Sequence, residues 1–240
     1  ERRVARTVDP WLPALGRTAS TPAEIWAELR NFNSHMCFLR ASGPGPAPVG
    51  VGGEIASSAA APTPDAREVY GFAPAFAVSA LGDPGFRAAH GVRYALMGGS
   101  MANGIASTAL VESLSRAGML ASFGAAGLPV SRVEQAIRRI SSSLKDLPYA
   151  FNLIHTPSEP QIEQDVVALY LRHGIRLVEA SAYLDLTLPL VQYRLHGLRR
   201  DADGRVVTPN RVIAKVSRVE VAAKFFAPAP EKLIAELVTL

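Results

Sequence analysis

The chain has 240 residues, of which 48% are hydrophobic, so it can bury a sizeable core in one large domain or two small ones. Its net charge is only +4 and no basic stripe is interleaved with aromatic residues, so nucleic-acid binding has little support. No apolar run approaches the roughly 18 residues that span a bilayer, so no membrane segment is predicted. The single cysteine, Cys37, cannot form an internal disulfide or a Cys/His metal site, which fits a reducing, cytoplasmic setting.

Residues 1–75 are predicted to be an irregular N-terminal region. The sequence TPAE at Thr21–Glu24 indicates a helix start, with a capping Thr, Pro at the first helical position and Glu at the third. From Ala41 to about Pro64 the chain is rich in Ala, Gly and Pro, which is typical of a loop or linker, with a short strand at Val49–Gly52. Because the sequence starts at Glu1 without Met or a signal core, we expect a processed, excised or incompletely represented chain.

From Tyr94 onward, short apolar strands alternate with amphipathic helices, which predicts a parallel sheet covered by helices. The five predicted strands are Tyr94–Met97, Leu120–Phe123, Tyr149–Ile154, Arg176–Ala180 and Val212–Val216. The predicted helices are Ala106–Ala117, one opened by a capping box at Ser131–Glu134, one from Pro160, Leu188–Leu198, Glu220–Phe226 and one from Glu231.

Two architectures fit this alternation: an open doubly wound sheet and a closed eight-fold barrel. A Rossmann sheet should carry a G-x-G-x-x-G fingerprint after its first strand, and Gly98–Gly104 does not keep that spacing. We therefore predict a (β/α)₈ TIM-type barrel in residues 76–240. A complete barrel takes about 250 residues, and only about five strand–helix units fit here. The predicted barrel is thus incomplete, and either the chain lacks the last three strands or a second polypeptide supplies them.

Polar residues at the predicted strand ends are the candidate site, because barrel sites form at the carboxyl ends of the strands. Asn152 lies inside an apolar run, where its amide needs partners: a cofactor edge, or the start of the next helix. Glu179 and Lys215 interrupt apolar strands and could pair with each other or face a ligand. His155 is interpreted as a surface loop residue.

Several linked motifs resemble one family. They are MANGIAS at Met101–Ser107, GAAGL at Gly124–Leu128, YAFNLIH at Tyr149–His155, VEASA at Val178–Ala182 and NRVIAKVSR at Asn210–Arg218. Together they resemble the trans-acting enoyl reductases of polyunsaturated-fatty-acid synthases and trans-acyltransferase polyketide synthases. The resemblance covers roughly residues 80–240 and implies a barrel related to nitronate monooxygenases and to flavin-dependent enoyl reductases.

The resemblance also implies FMN as cofactor, NADPH as reductant and an acyl carrier protein as partner. It places Met101 and Ala102 on the flavin through their backbone, Asn152 at the ring or ribityl edge, and Lys215 beside the electron-rich side of the ring. The predicted cofactor-binding residues are Gly99, Met101, Ala102, Asn152, Glu179 and Lys215. The family's glycine-flanked histidine is absent before Leu240, so the catalytic proton donor is unknown from these residues.

Two other functions stay open at this point. One is a nitronate monooxygenase-like flavin oxidase that uses oxygen. The other is a catalytically incomplete scaffold or docking component of a synthase. A homodimer is also left open.

Overall fold

A computed structural model describes residues 10–13, 16–56 and 65–239 of the chain. The chain forms two compact units, Glu1–Leu81 and Gly82–Leu240, called here the N-terminal unit and the C-terminal unit. Within the described residues, no helix has the length and apolarity that crossing a membrane requires.

The N-terminal unit is built around a six-stranded sheet. Its elements are β1 (Pro10–Leu12), β2 (Arg17–Ala19), α1 (Pro22–Glu28), β3 (Met36–Leu39), β4 (Val49–Val51), β5 (Glu54–Ile55), β6 (Arg67–Ala73) and a 3₁₀ turn at Val78–Ala80. The strand order is β2-β4-β3-β6-β1-β5, and all its pairs are antiparallel. The expectation of an irregular region is therefore wrong. Helix α1 and the strand at Val49 are confirmed, whereas residues 57–64 of the expected linker lie outside the described residues.

Trp11 explains why this sheet needs a glycine-rich sequence. Its indole is fully buried with Cys37 and Leu39, and its Nε1 donates to the Gly52 carbonyl at 2.6 Å. A Cβ on Gly50 would lie only 2.7 Å from the indole, so no larger residue fits against the ring. Gly50, which lies in the expected linker, is thus required for close packing. Burial raises the pKa of the Cys37 thiol, which is a packed side chain.

The C-terminal unit alternates strands and helices. Its elements are α2 (Pro84–His90), β7 (Met97–Gly98), α3 (Thr108–Arg116), β8 (Leu120–Phe123), α4 (Val130–Leu144), β9 (Ala150–Ile154), α5 (Pro160–Arg172), β10 (Leu177–Ser181), α6 (Leu188–Leu195), β11 (Arg199–Arg200), β12 (Val206–Val207), β13 (Arg211–Lys215), α7 (Val219–Phe226) and α8 (Glu231–Thr239). Strands β11 and β12 form a separate antiparallel hairpin.

The five remaining strands form one parallel sheet in the order β7-β8-β9-β10-β13, which follows the chain without reversal. A doubly wound sheet reverses its order at a switch point, whereas a barrel adds each strand beside the last. The sheet curls into a half barrel, which confirms the predicted incomplete TIM-type fold.

The two faces of this sheet differ in chemistry. Outward side chains such as Phe151, Leu153 and Val178 pack under the helices in the largest hydrophobic cluster. On the inner face, Leu120 and Leu177 join an apolar cluster to which α2 contributes Phe86. The inner face becomes polar toward the carboxyl ends of the strands, and that end carries the candidate site.

Candidate site at the strand ends

A buried carboxylate joins three parts of the half barrel. Glu179 lies on β10 and is 2% exposed. Its Oε2 accepts a hydrogen bond from the Ser100 amide at 2.8 Å, just after β7. Its Oε1 lies 3.0 Å from Nζ of Lys215, the last residue of β13. Residues far apart in the sequence therefore meet on one side chain.

The ionisation of Glu179 is decided by these partners. Burial by itself raises the pKa of the carboxyl, but the Ser100 amide, the Lys215 ammonium and Ser122 outweigh it, so the pKa is lowered overall. The site therefore contains a buried anion beside a cation whose side chain is 52% exposed. The sequence left open whether Glu179 and Lys215 pair with each other or face a ligand. The ion pair is formed, and the Lys215 ammonium is still accessible at the carboxyl ends of the strands, called here the barrel mouth.

Asn152 is held by the neighbouring strand. Its Nδ2 donates to the Glu179 backbone carbonyl at 3.1 Å and to Ser181 Oγ at 2.8 Å. Its backbone carbonyl accepts from the Tyr170 hydroxyl at 2.6 Å. It does not cap the next helix, whose N-cap is Glu159. Both amide protons of Asn152 are used, while no described residue donates to its Oδ1. This oxygen is an acceptor that a bound group can meet.

The loop after β7 lies on the loop after β8. The Asn103 and Gly104 amides donate to the carbonyls of Ala126 and Gly124 at 2.7 and 2.9 Å. A Cβ on Gly124 would fall 1.7 Å from the Met101 carbonyl oxygen, so only glycine allows this approach.

The predicted residues on this loop lie at the mouth with their surfaces accessible. Gly99, Met101 and Ala102 are all exposed. Gly99 lies next to Glu179, since a Cβ built on it would be 3.4 Å from Glu179 Oε1. The structure thus groups Gly99, Asn152, Glu179 and Lys215, with Met101 and Ala102 following directly along the loop.

A second polar network was missed by sequence reasoning. Glu163 of α5 is buried, and its carboxylate accepts from Tyr183 at 2.9 Å and from the Thr187 hydroxyl. His155 Nδ1 lies 3.0 Å from the same carboxylate. His155 does lie in the loop after β9, but its side chain is only 25% exposed and contacts Glu163, so it is not a free surface residue. A glutamate on the buried face of an amphipathic helix was the one sequence signal of this network.

Ala182 lies between Ser181, which bonds Asn152, and Tyr183, which bonds Glu163. It has a positive φ of 62°, which is uncommon for a residue other than glycine. Burial, followed by the Glu163 charge, raises the pKa of Tyr183 far above its usual value, so Tyr183 stays a proton donor.

A cavity of about 290 Å³ opens beside Asn152. It is bounded by the loop Ala125–Pro129, by Ile154 and by Ile162, and Glu163 lies at its polar end. The walls are mostly aliphatic, so the cavity suits an apolar group that adjoins a polar one.

Comparisons with known proteins find relatives of this chain in polyunsaturated fatty acid and polyketide synthesis. It is 47% identical over 158 residues to a component of the polyunsaturated fatty acid synthase of Thraustochytrium sp., covering 66% of this chain and 11% of that protein. It is 43% identical over 158 residues to the polyketide biosynthesis protein PksE of Bacillus subtilis, covering 65% of this chain and 21% of PksE. No family model matches the chain.

Among solved structures, the enoyl reductase domain of MlnA, from the macrolactin biosynthesis cluster of Bacillus amyloliquefaciens, matches with a TM-score of 0.65 and 41% identity. The match covers 68% of this chain and 37% of the MlnA chain. The chain therefore spans a minor part of each relative's length. The resemblance drawn from the strand-end motifs is confirmed: this chain is homologous to a part of the trans-acting enoyl reductases of polyunsaturated-fatty-acid and polyketide synthases.

Proposed function

We propose that the chain forms part of an enoyl reductase that reduces the 2,3 double bond of an enoyl thioester carried by an acyl carrier protein. Electrons pass from NADPH through FMN in this proposal. The observation that carries it is the cluster of Asn152, Glu179 and Lys215 at the strand ends of a half barrel that is 41% identical to the MlnA enoyl reductase domain.

The residues at the mouth fit a flavin by their chemistry. The Asn152 Oδ1 is an available acceptor, which suits a ring N–H. The loop at Gly99, Met101 and Ala102 exposes backbone on which a flat ring can rest. The Lys215 ammonium suits an electron-rich edge. When bound, a flavin supplies the hydride that saturates the double bond.

The chain's own residues orient and shield the reactants. Asn152 fixes a bound ring against β9, because its amide protons already hold it to β10. Lys215 favours negative charge at the mouth through its ammonium group. The aliphatic cavity beside Asn152, of about 290 Å³, is wide enough for part of an acyl chain.

The decisive experiment measures NADPH oxidation by the purified, FMN-loaded protein with a 2-enoyl thioester on its carrier, with air excluded. Oxidation that depends on the enoyl thioester supports the proposal. Oxygen uptake with a nitronate and no enoyl reduction would assign the chain to a nitronate monooxygenase-like oxidase instead. Absence of both activities, with no bound flavin, would leave only a docking role.

A matched pair of variants tests the site assignment. Asn152→Ala should weaken FMN retention, because it removes the acceptor at the mouth. Asn210→Ala is the control. Asn210 is fully buried and donates to the Tyr193 and His196 carbonyls, and it lies just before β13, at the end of that strand opposite to Lys215. Both variants should lose stability, but only Asn152→Ala should lose flavin at a temperature where both are folded. Equal flavin content would remove Asn152 from the site.

A further inference from the structure

Glu179 connects the two ends of the parallel sheet. Strands β7 and β13 stand at opposite ends of the strand order, and Glu179 lies between them on β10. One carboxylate oxygen accepts a hydrogen bond from the Ser100 amide after β7, and the other pairs with the Lys215 ammonium of β13. The same ammonium lies 3.4 Å from the Ser100 carbonyl oxygen, which closes a ring of three residues.

We infer that Glu179 is a positioning residue that holds the Lys215 ammonium and the loop after β7 at the barrel mouth, and is not itself a contact of the bound cofactor. Both of its carboxylate oxygens are engaged by protein donors, and the residue is 2% exposed. The Lys215 side chain is 52% exposed and is therefore the member of the pair that can meet a ligand. This inference differs from the sequence prediction, in which Glu179 itself binds the cofactor. The inference depends on the proposed function only for the chemistry that Lys215 then performs.

The energetics of the ring favour this role. A buried carboxylate is costly unless it is paired and hydrogen-bonded, and here one amide and one ammonium satisfy it. The Lys215 side chain, in turn, has many rotamers and would sample solvent without an anchor. Glu179 therefore limits where the positive charge can be. It also keeps Ser100, and with it the loop that follows, against the inner face.

A second lysine pair provides the matched control. Lys224 Nζ lies 2.8 Å from Asp185 Oδ2, with side-chain exposures of 44% and 68%. The two lysines are similarly exposed and each also lies near a backbone carbonyl, Leu184 for Lys224 and Ser100 for Lys215, but the carboxylate partner of Lys224 is open to solvent and that of Lys215 is buried. Solvent screens the exposed pair, so it should protect its amine little.

The test is the rate at which each lysine amine is acetylated by acetic anhydride, read by mass spectrometry of proteolytic peptides. We expect Glu179→Gln to speed the acetylation of Lys215 by about five- to tenfold, which is less than the full loss of one charge-assisted hydrogen bond because solvent screens the half-exposed ammonium. Asp185→Asn should change Lys224 by less than about twofold. Lys145 and Lys232, both exposed, report global unfolding by reacting faster together. An unchanged Lys215 rate in a folded Glu179→Gln variant would overturn the inference.

The wild-type chain decides the matter even if Glu179→Gln does not fold. Lys215 must then be acetylated more slowly than Lys224, despite its equal or greater exposure. A faster Lys215 would contradict the inference. Because these readouts involve neither flavin nor enoyl thioester, a failure of the proposed function would leave them intact.

If the enzyme is active, the double variant adds a further readout. Glu179→Gln and Lys215→Met should each lower the rate of flavin reduction, and together they should lower it no further than Lys215→Met does. Additive losses would show that Glu179 acts independently of Lys215.

Discussion

The ring of His155 stacks on the ring of Tyr183, with centroids 5.3 Å apart and planes 26° apart, and both side chains bond the Glu163 carboxylate. His155 follows β9 and Tyr183 follows β10, while Glu163 belongs to α5. This contact therefore connects two strand-end loops at the rim of the half barrel. It holds the segment next to Ser181, which bonds Asn152.

Tyr183→Phe should destabilise the C-terminal unit by about 1–2 kcal/mol, because it leaves a buried carboxylate with one donor fewer. Chemical denaturation followed by circular dichroism measures the loss. Tyr70→Phe is the control, since Tyr70 is 60% exposed. Equal stability of both variants would show that the Tyr183 hydroxyl contributes nothing to the rim.

Gly124→Ala should displace the loop after β7, because the new methyl group would overlap the Met101 carbonyl, a backbone atom that cannot rotate away. We expect a loss of about 1–3 kcal/mol, as for other overpacked sites, together with weaker FMN retention. Gly43→Ala is the control, because its methyl group would meet no heavy atom within 4 Å and Gly43 lies outside the candidate site. A Gly124→Ala protein with wild-type melting temperature and flavin content would contradict the described packing of the two loops.

Stability should fall in mild acid because of His90, which lies at the end of α2 and packs on Phe86 at 4.5 Å between ring centroids. Burial, followed by the charge of Arg211, lowers the pKa of His90 below its usual 6.5. The unfolded chain therefore takes up a proton at a higher pH than the folded chain does. The contribution is complete above pH 6.5 and is lost as the pH falls through the folded value.

His90→Leu should flatten this dependence, whereas His196→Gln, at an exposed position, should leave it unchanged. The free energy of unfolding, measured against pH for the three proteins, gives the comparison. Parallel curves for His90→Leu and the wild type would assign the acid sensitivity to other groups.

The carrier protein should contribute to substrate recognition. A trans-acting reductase can draw binding energy from the carrier, remote from the reacting carbons, and spend it on positioning the double bond. We expect the FMN-loaded enzyme to show a higher kcat/KM for a 2-enoyl thioester on its carrier than for the same acyl group on a small thiol. Equal values, measured with NADPH in excess and air excluded, would remove carrier recognition from the proposal.

Local sequence patterns determined much of the C-terminal unit. Short apolar runs located all five strands, although the first strand is observed at Met97–Gly98 instead of Tyr94–Met97. One local signal misled: the expected capping box at Ser131 is not formed, since α4 begins at Val130, directly after Pro129 fixes an extended backbone. The N-terminal sheet escaped prediction because most of its strands have two to four residues and pair antiparallel with partners distant in the chain.

The sequence by itself determined the alternation of strands and helices, the likeness to enoyl reductases and the polar strand ends at Asn152, Glu179 and Lys215. Only the tertiary structure decided what these side chains contact. Ser100 and Glu179 are 79 residues apart, and no local periodicity reports a contact across that distance. The curl of the sheet brings the first and last strands to one carboxylate, and the packing of α5 beside the loops after β9 and β10 buries Glu163 next to His155 and Tyr183. Whether a charged side chain binds a ligand or positions a neighbour depends on such long-range packing, because burial and available donors are properties of the folded chain.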